Sequence, residues 1–462
     1  MQEHDFARGP LGRAIWLLAI PMVIEMSMES VFAVVDIFFV AKLGSAAIAS
    51  VGLTEGLMTT VYAIAIGLSM GTTATVARRI GEGKPEDAAV AATQAILIGV
   101  VLAVVLGLGG LFFAPDLLRF MKASEAVIET GTGYTRILTT TNLVIFLLFL
   151  HNAIFRGAGD AKIAMQSLIL ANAINVVLDP CLIFGLGPFP ELGLEGAAIA
   201  TTIGRGTGVL FQLHALRRGR GRLALHGSAL RIDGAVLWRL LRVSFGGITQ
   251  FLIATASWTL LIRLVADFGD EPAAGYTIAV RIVMFTFLPS WGLSNAAATL
   301  VGQSLGAGDP ARAKRAVWLT GAYNAAFLGL VSVVFVSFPR PLVEFFVSAL
   351  ESDVASSFDA AAKLRVVEYG TTCLRTMSYC YVFFAWGMVM VQAFNGAGDT
   401  RTPNFINFAC YWCFQIPLAY ALAHGLAWGP NGVFWAIAIS ETVYAVVCVL
   451  VFCRGRWTGK LV

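Results

Sequence analysis

The chain alternates long apolar runs with short polar breaks from one end to the other. Twelve runs stand out, near 14–41, 48–77, 87–114, 127–155, 163–186, 195–216, 237–266, 273–300, 311–338, 365–393, 403–425 and 431–453. Each holds about 20 residues or more, enough to cross a hydrocarbon core of about 30 Å as a helix. Inside lipid every backbone N–H and C=O needs an internal partner, so each run is expected to be helical. Strands are excluded by the length of the runs and by the lack of two-residue alternation. A buried helix of a soluble protein explains one such run, but not a dozen in series.

The polar breaks repeat. Arg156-Gly157-Ala158-Gly159-Asp160 returns as Asn395-Gly396-Ala397-Gly398-Asp399. Gly81-Glu82-Gly83-Lys84-Pro85 precedes the first copy, and Gly306-Ala307-Gly308-Asp309-Pro310 precedes the second. Gly193-Leu194-Glu195-Gly196 and Gly429-Pro430-Asn431-Gly432 follow them. The chain therefore reads as two copies of six spans, residues 1–222 and 223–462, divided near 220–236. An even number of spans starts both copies on the same side, which makes the repeats parallel, about an axis along the membrane normal. The fold class expected is an all-α membrane protein of about twelve transmembrane helices in two pseudo-symmetric six-helix bundles around a central cavity. Extra residues near 340–363 in the second copy are expected as an outer loop.

Composition agrees with membrane residence: 58% of the 462 residues are hydrophobic and 13% charged, too little polar surface for a soluble chain of this length. Basic residues orient it. Arg8, Arg13, Arg78, Arg79, Lys84, Arg156, Lys162, Arg217, Arg218, Arg220, Arg222, Arg312, Lys314, Arg315, Arg401, Arg454, Arg456 and Lys460 all fall on one side of a twelve-span path. The opposite loops carry Asp267, Asp270, Glu271, Glu351 and Asp353. Both termini are thus expected in the cytoplasm, with the protein in the plasma membrane. The loop bases account for the net charge of +4 without nucleic acid, and the arginines near 217–222 read as a solvated connector. The first apolar run is too long for a cleavable signal peptide. Of seven cysteines, Cys410 and Cys413 have CxxC spacing, but no second pair or histidine cluster accompanies them, so packed thiols in one helical turn are expected and no metal. No HExxH, GxSxG or aspartate-rich metal motif occurs, which argues against an enzyme.

Ionisable groups within spans are costly and mark function by default. Glu25, Glu29 and Asp36 lie within about 40° of one another on the first span, at about 100° per residue. Asn172, Asn175 and Asp179 share a face of the fifth, with Pro180 next to it. Pro21 and Pro180 each remove a helix hydrogen bond and offer bending points. Glu55 lies in the second span. The matching spans of the second half carry Thr249, Gln250, Gln415 and Pro417 but no comparable acids, so ion coupling is placed in the first half, on Asp36 with Asp179. Glu25 and Glu29 fit either that role or a wet mouth. Arg205 and Glu441 each stand nine residues after a landmark glycine, Gly196 and Gly432; they pair locally or snorkel, or latch the halves together. His151 reads as packing rather than a proton relay. Trp258, Trp291 and Tyr379 fit lipophilic contacts and interfacial packing equally.

Pro21, the stretch Val34-Val35-Asp36-Ile37-Phe38-Phe39-Val40 through Leu43-Gly44, the run Ala77-Arg78-Arg79-Ile80-Gly81 and both GAGD copies together resemble the multidrug and toxic compound extrusion (MATE) family over nearly the whole chain. The absence of acids between Ser244 and Ala266, and after Glu368 in the tenth span, is similar to the DinF-like branch rather than the NorM-like one. The resemblance implies cation or proton coupling by Asp36, Tyr134, Asn152, Asn175, Asp179 and Thr201. Glu25, Glu29, Glu55 and Gln250 are expected at a substrate cavity. It also implies alternating-access export of lipophilic or cationic compounds against H+ or Na+, with no further cofactor and a monomer in the bilayer. The alternative is a lipid or lipid-linked saccharide flippase of the same superfamily, for which the acidic character of the cavity residues is unfavourable.

Overall fold

The computed structural model describes residues 6, 8–219, 221–225, 231–349 and 359–459; Arg220, Glu351, Asp353 and Lys460 lie outside the described residues. Helices account for all regular structure among them. The first copy comprises α1 (Leu11–Val40), α2 (Ser45–Gly81), α3 (Pro85–Phe120), α4 (Glu125–Thr140), α5 (Asn142–Ala158), α6 (Ala161–Phe184) and α7 (Gly193–Arg218). The second comprises α8 (Gly234–Ala266), α9 (Asp270–Gly306), α10 (Pro310–Ser337), α11 (Pro339–Ala349), α12 (Ala360–Ser378), α13 (Tyr381–Gly396), α14 (Arg401–Asn407), α15 (Ile416–Tyr420) and α16 (Pro430–Cys453). Eight helices or helical stretches are long and apolar enough to span a bilayer, and two further spans are bent pairs. Together with α1 and α7 they fit the twelve spans of the expected all-α membrane fold.

The fourth and tenth spans are not single rods. α4 and α5 meet at 42° and α12 and α13 at 58°, so the bend belongs to the repeat. At the first break the Thr141 hydroxyl donates to the Ile137 carbonyl (2.8 Å) and the Asn142 amide to the Thr139 carbonyl (2.7 Å). The Ile137 carbonyl also keeps its backbone donor, the Thr141 N–H (2.9 Å), and the Asn142 amide gives the Thr139 carbonyl a side-chain donor at the kink. The eleventh span departs further: π-helical stretches Phe408–Gln415 and Ala421–Gly425 flank α15. Pro417 has no N–H for the Cys413 carbonyl, and the widened turn precedes it. This geometry also corrects the expected packing of both thiols in one helical turn. Cys410 is buried and Cys413 exposed, because the wider turn carries them to different sides. The extra segment of the second copy begins as the helix α11 rather than as loop.

The landmarks recur because the backbone needs them. Gly159 and Gly398 close α5 and α13 with φ of 94° and 79°, a region that favours glycine. In each copy the following aspartate N–H returns to a carbonyl five residues back, Asp160 to Phe155 (2.7 Å) and Asp399 to Phe394 (2.9 Å). Gly157 and Gly396 mark close helix contacts. A Cβ at Gly157 would stand 3.0 Å from the Thr73 carbonyl oxygen on α2, and one at Gly396 would overlap the Ala298 carbonyl on α9.

The six-span copies and the compact units are drawn at different places. The first unit runs through Ile248 and includes Gly302–Asp309; the second holds Thr249–Val301 and the chain from Pro310. The cause is close packing on α2. A Cβ at Gly67 would strike Ile248, and one at Gly71 would come within 2.6 Å of the Ser244 hydroxyl, so the first half of α8 joins the first unit. The end of α9 does likewise: Gly81 lies against the Gln303 backbone, Gly306 against the Arg78 carbonyl, and the Gln303 amide donates to the Gly157 carbonyl (2.9 Å). The second unit has its own apolar core, with Tyr276 stacked on Phe434 at 6.2 Å among Leu261, Val343, Leu374 and Ile437.

Candidate functional site

The first unit carries a polar interior on α1, α2 and α4 to α7. Close approach of α6 and α7 builds it. A Cβ at Gly204 would meet the Ala171 carbonyl oxygen at 2.8 Å, and one at Gly208 the Ser167 carbonyl at 3.1 Å, so small residues let the two backbones touch. α1 joins them through the Asn172 amide, which donates to the Met28 carbonyl (2.8 Å). α7 then presents Thr201, Arg205 and Gln212 at successive depths.

At the level of Thr201, where α1 and α6 finish and α7 begins, the Thr201 side chain lies beside the Asp36 carboxylate. Asp179 lies within electrostatic range of Asp36. The Asn175 amide donates to Asp179 Oδ1 at 3.0 Å, and both side chains are fully buried. Tyr134 is buried in the same neighbourhood, within range of Asp36 and Glu55, and held by Val40, Val51, Ile183 and Leu194. Three buried oxygens have no hydrogen-bond partner: Asp36 Oδ1, Asn175 Oδ1 and Asp179 Oδ2. Buried oxygens without partners are costly. Five of the six residues expected to couple ions, Asp36, Tyr134, Asn175, Asp179 and Thr201, thus fall in one neighbourhood.

Asn152 stands apart. Its Oδ1 accepts from the Gln212 amide, the one side-chain hydrogen bond it makes among the described residues. Gln212 is three turns along α7 from Thr201, about 16 Å. His151 lies beside Gln212 in that deeper layer.

Between the two layers sits Arg205, 5% exposed. Its guanidinium donates to Glu29 Oε1 (3.0 Å) and to the Tyr62 hydroxyl (3.1 Å), and it covers the Phe32 ring at 4.7 Å. Of the readings open for Arg205, local pairing is the one seen, with partners inside the first unit. Glu25 also differs from the expected cavity position. It is completely buried and accepts from Arg156 at 3.1 Å, which makes it half of an interior ion pair. Arg156 itself, read as a loop base, is 9% exposed. Glu29 keeps partial access, with 30% of its side chain exposed, and Glu55 is exposed on α2 within range of Asp36. Gln250 belongs to the second unit, buried, with Oε1 unpartnered. Pro21 and Pro180 both lie inside continuous helices, α1 and α6.

Sequence reasoning missed the Glu25–Arg156 and Glu29–Arg205 pairs. A signal existed: the second copy has Asn395 in the slot of Arg156 and no acid in its first span, so acid and base are absent together.

Comparison with known proteins gives one consistent result. The MatE family model matches residues 21–181 and again 247–421, once in each copy. A relative from Thermotoga maritima named "Probable multidrug resistance protein NorM" is 25% identical over 457 residues, spanning 96% of this chain and 93% of its own. A Shewanella oneidensis protein named "FAD transporter" is 25% identical over 449 residues, covering 96% and 95%. Among solved structures, one described as the outward-facing conformation of a multidrug resistance MATE family transporter superposes with a TM-score of 0.90 at 26% identity, over 99% of this chain and 98% of that one.

Proposed function

The chain belongs to the MatE family, whose members are multi-pass membrane transporters and not enzymes, and we propose that it exports lipophilic or cationic compounds in exchange for protons or sodium. The names of its relatives support multidrug efflux as the class of activity. The observation that carries the coupling is the pair Asp36 and Asp179. Glu25 and Glu29 each hold an arginine, whereas these two lie within electrostatic range of one another, with partnerless oxygens supplied also by Asn175. Two carboxylates without a dedicated counter-charge call for a cation or a proton.

In this reading the ion enters the Asp36–Asp179 group in the outward-facing state. Neutralisation removes repulsion between α1 and α6, and the helices shift where Pro21 and Pro180 interrupt their hydrogen-bond ladders. Substrate leaves. Facing inward, the group gives up its ion and substrate binds again. The ion drives this exchange only because it favours one state over the other. Tyr134 and Thr201 orient the Asp36 carboxyl, and Asn152 acts from the deeper layer. The absence of acids from the matching second-half spans favours the DinF-like branch. Plasma-membrane residence with both termini cytoplasmic follows from the distribution of arginine and lysine.

The experiment is transport in liposomes with proton and sodium gradients imposed separately, using a cationic dye and, as anionic counterpart, FAD. Dye movement driven by one gradient is expected, lost in Asp36→Asn. An Asp36→Asn variant that still moved dye against its gradient would overturn the coupling site. FAD movement without dye movement would overturn the substrate class.

A further inference from the structure

The second unit contains a buried acid that the coupling scheme leaves unused. Glu441 on α16 is 4% exposed. The Tyr411 side chain lies beside its carboxylate, and Oε2 has no hydrogen-bond partner. The groups facing it come from three elements. Cys410 and Tyr411 lie on the π-helical stretch 408–415, Tyr444 and Cys448 on α16, and Cys380 in the break between α12 and α13. Among the described residues no lysine, arginine or histidine joins this set. In the first unit, Glu25 and Glu29 each have an arginine beside them, and Asp36 and Asp179 each have a second carboxylate within range.

Tyr411 reaches Glu441 from a stretch of helix that is itself irregular. Its ring stacks on Tyr444 with centroids 5.1 Å apart, and the Tyr444 hydroxyl is committed to Asn407 Oδ1 at 2.9 Å. π-Helical geometry is rare within α-helical spans and is found frequently at functional positions. A buried carboxylate that lacks a counter-charge is costly unless something neutralises it. Sodium fits poorly. The pocket offers one partnerless carboxylate oxygen, its second tyrosine donates elsewhere, and the remaining neighbours are thiols, which suit soft metals rather than a hard cation.

We propose that Glu441 is a proton-binding site of the second unit, distinct from the Asp36–Asp179 group, with Tyr411 as the donor that holds its ionised form. On binding, a hydronium ion gives its proton to Oε2, forming an O–H bond and leaving water. On release the proton returns to water and the Tyr411 hydroxyl alone supports the carboxylate. Because Tyr411 sits on the π-helical stretch, the two states pull differently on the eleventh span.

Infrared difference spectra of the purified full chain, titrated with pH, test this without requiring transport. A carboxylic-acid C=O band is expected that appears on acidification, is lost in Glu441→Gln and persists in Asp36→Asn. In Tyr411→Phe the same band should survive to higher pH, since removing a donor to the charged form favours the neutral one. No band lost in Glu441→Gln would overturn the proposal. So would a band that never titrates, which describes a permanently neutral structural acid, or one that sodium abolishes at constant pH. Loss of gradient-driven dye movement in Asp36→Asn alone leaves these spectra untouched, so the two readings fail separately.

Discussion

The two copies share punctuation and differ in their interiors. Gly159 and Gly398 end their helices with the same backbone geometry, and Gly157 and Gly396 mark equivalent close contacts. Yet Asp160 grips the backbone of Arg222 in the connector (2.6 Å), whereas Asp399 accepts from the Thr402 hydroxyl (2.8 Å) at the start of α14. The first unit holds two arginine–glutamate pairs, one fully buried and one with a partly exposed glutamate, and a carboxylate pair; the second buries Glu441 with tyrosines. Steric requirements at turns admit few residues, so duplication keeps them. Buried polar groups need only be satisfied locally, and each copy has found its own solution.

The sharpest way to break this comparison is to unpair the first unit's interior. Arg156→Ala leaves Glu25 buried without its counter-charge and is expected to cost about 3–5 kcal/mol. Thermal unfolding in detergent measures the loss, and adding Glu25→Gln should recover part of it. Equal losses in the single and double variants would show that the ion pair is not the cause. The second prediction sets glycine against glycine. Gly396→Ala meets the Ala298 backbone and should destabilise by about 1–3 kcal/mol, as overpacking does. Gly157→Ala meets the Thr73 carbonyl at 3.0 Å and Val76 at 3.1 Å, wider than the Ala298 contact at Gly396, so it should lose less. The reverse order in unfolding temperature would refute the close contact at α9 and α13.

The smallest effect concerns the starts of α1 and α8, which head the two copies. α1 follows Pro10 with no side-chain cap, whereas the Asp233 carboxylate accepts from the backbone N–H groups of Val236 (3.1 Å) and Ala235 (3.0 Å). The Val236 N–H foremost, then Ala235, Arg231 and Arg239, hold Asp233 below the ordinary aspartate value. A depressed folded value gives stability that is present above the unfolded value and lost as pH falls through the folded one. Asp233→Asn keeps a cap and should flatten that acid limb of the unfolding temperature; an unchanged limb assigns it to other groups.

The spans, the duplication and most of the residues that gather around Asp36 were legible in the sequence, because bilayer crossing demands long apolar runs and any interior acid stands out against them. Arg156 was not. It sits in the last turn of α5, beside a loop landmark, and the rule that assigns such bases to the cytoplasm does not ask whether the turn folds inward. Asn152 shared a pattern with the cluster but not its depth along α7. The π-helical stretches were hidden as well, since Pro417 announces a broken hydrogen bond without stating how the preceding turn will widen.

One consequence follows for how this protein is made. Gly81 on α2 lies against the Gln303 backbone and Gly306 against Arg78, yet residues 302–309 are synthesised about 220 residues after Gly81. At about 5–20 residues per second, that end of α2 waits on the order of 10–40 s for its neighbour. During that interval the nascent first half presents an unfilled groove at the ribosome-proximal stage of insertion. A chain halted before Gly302 would release a first unit that is full-length by its repeat and still unfinished.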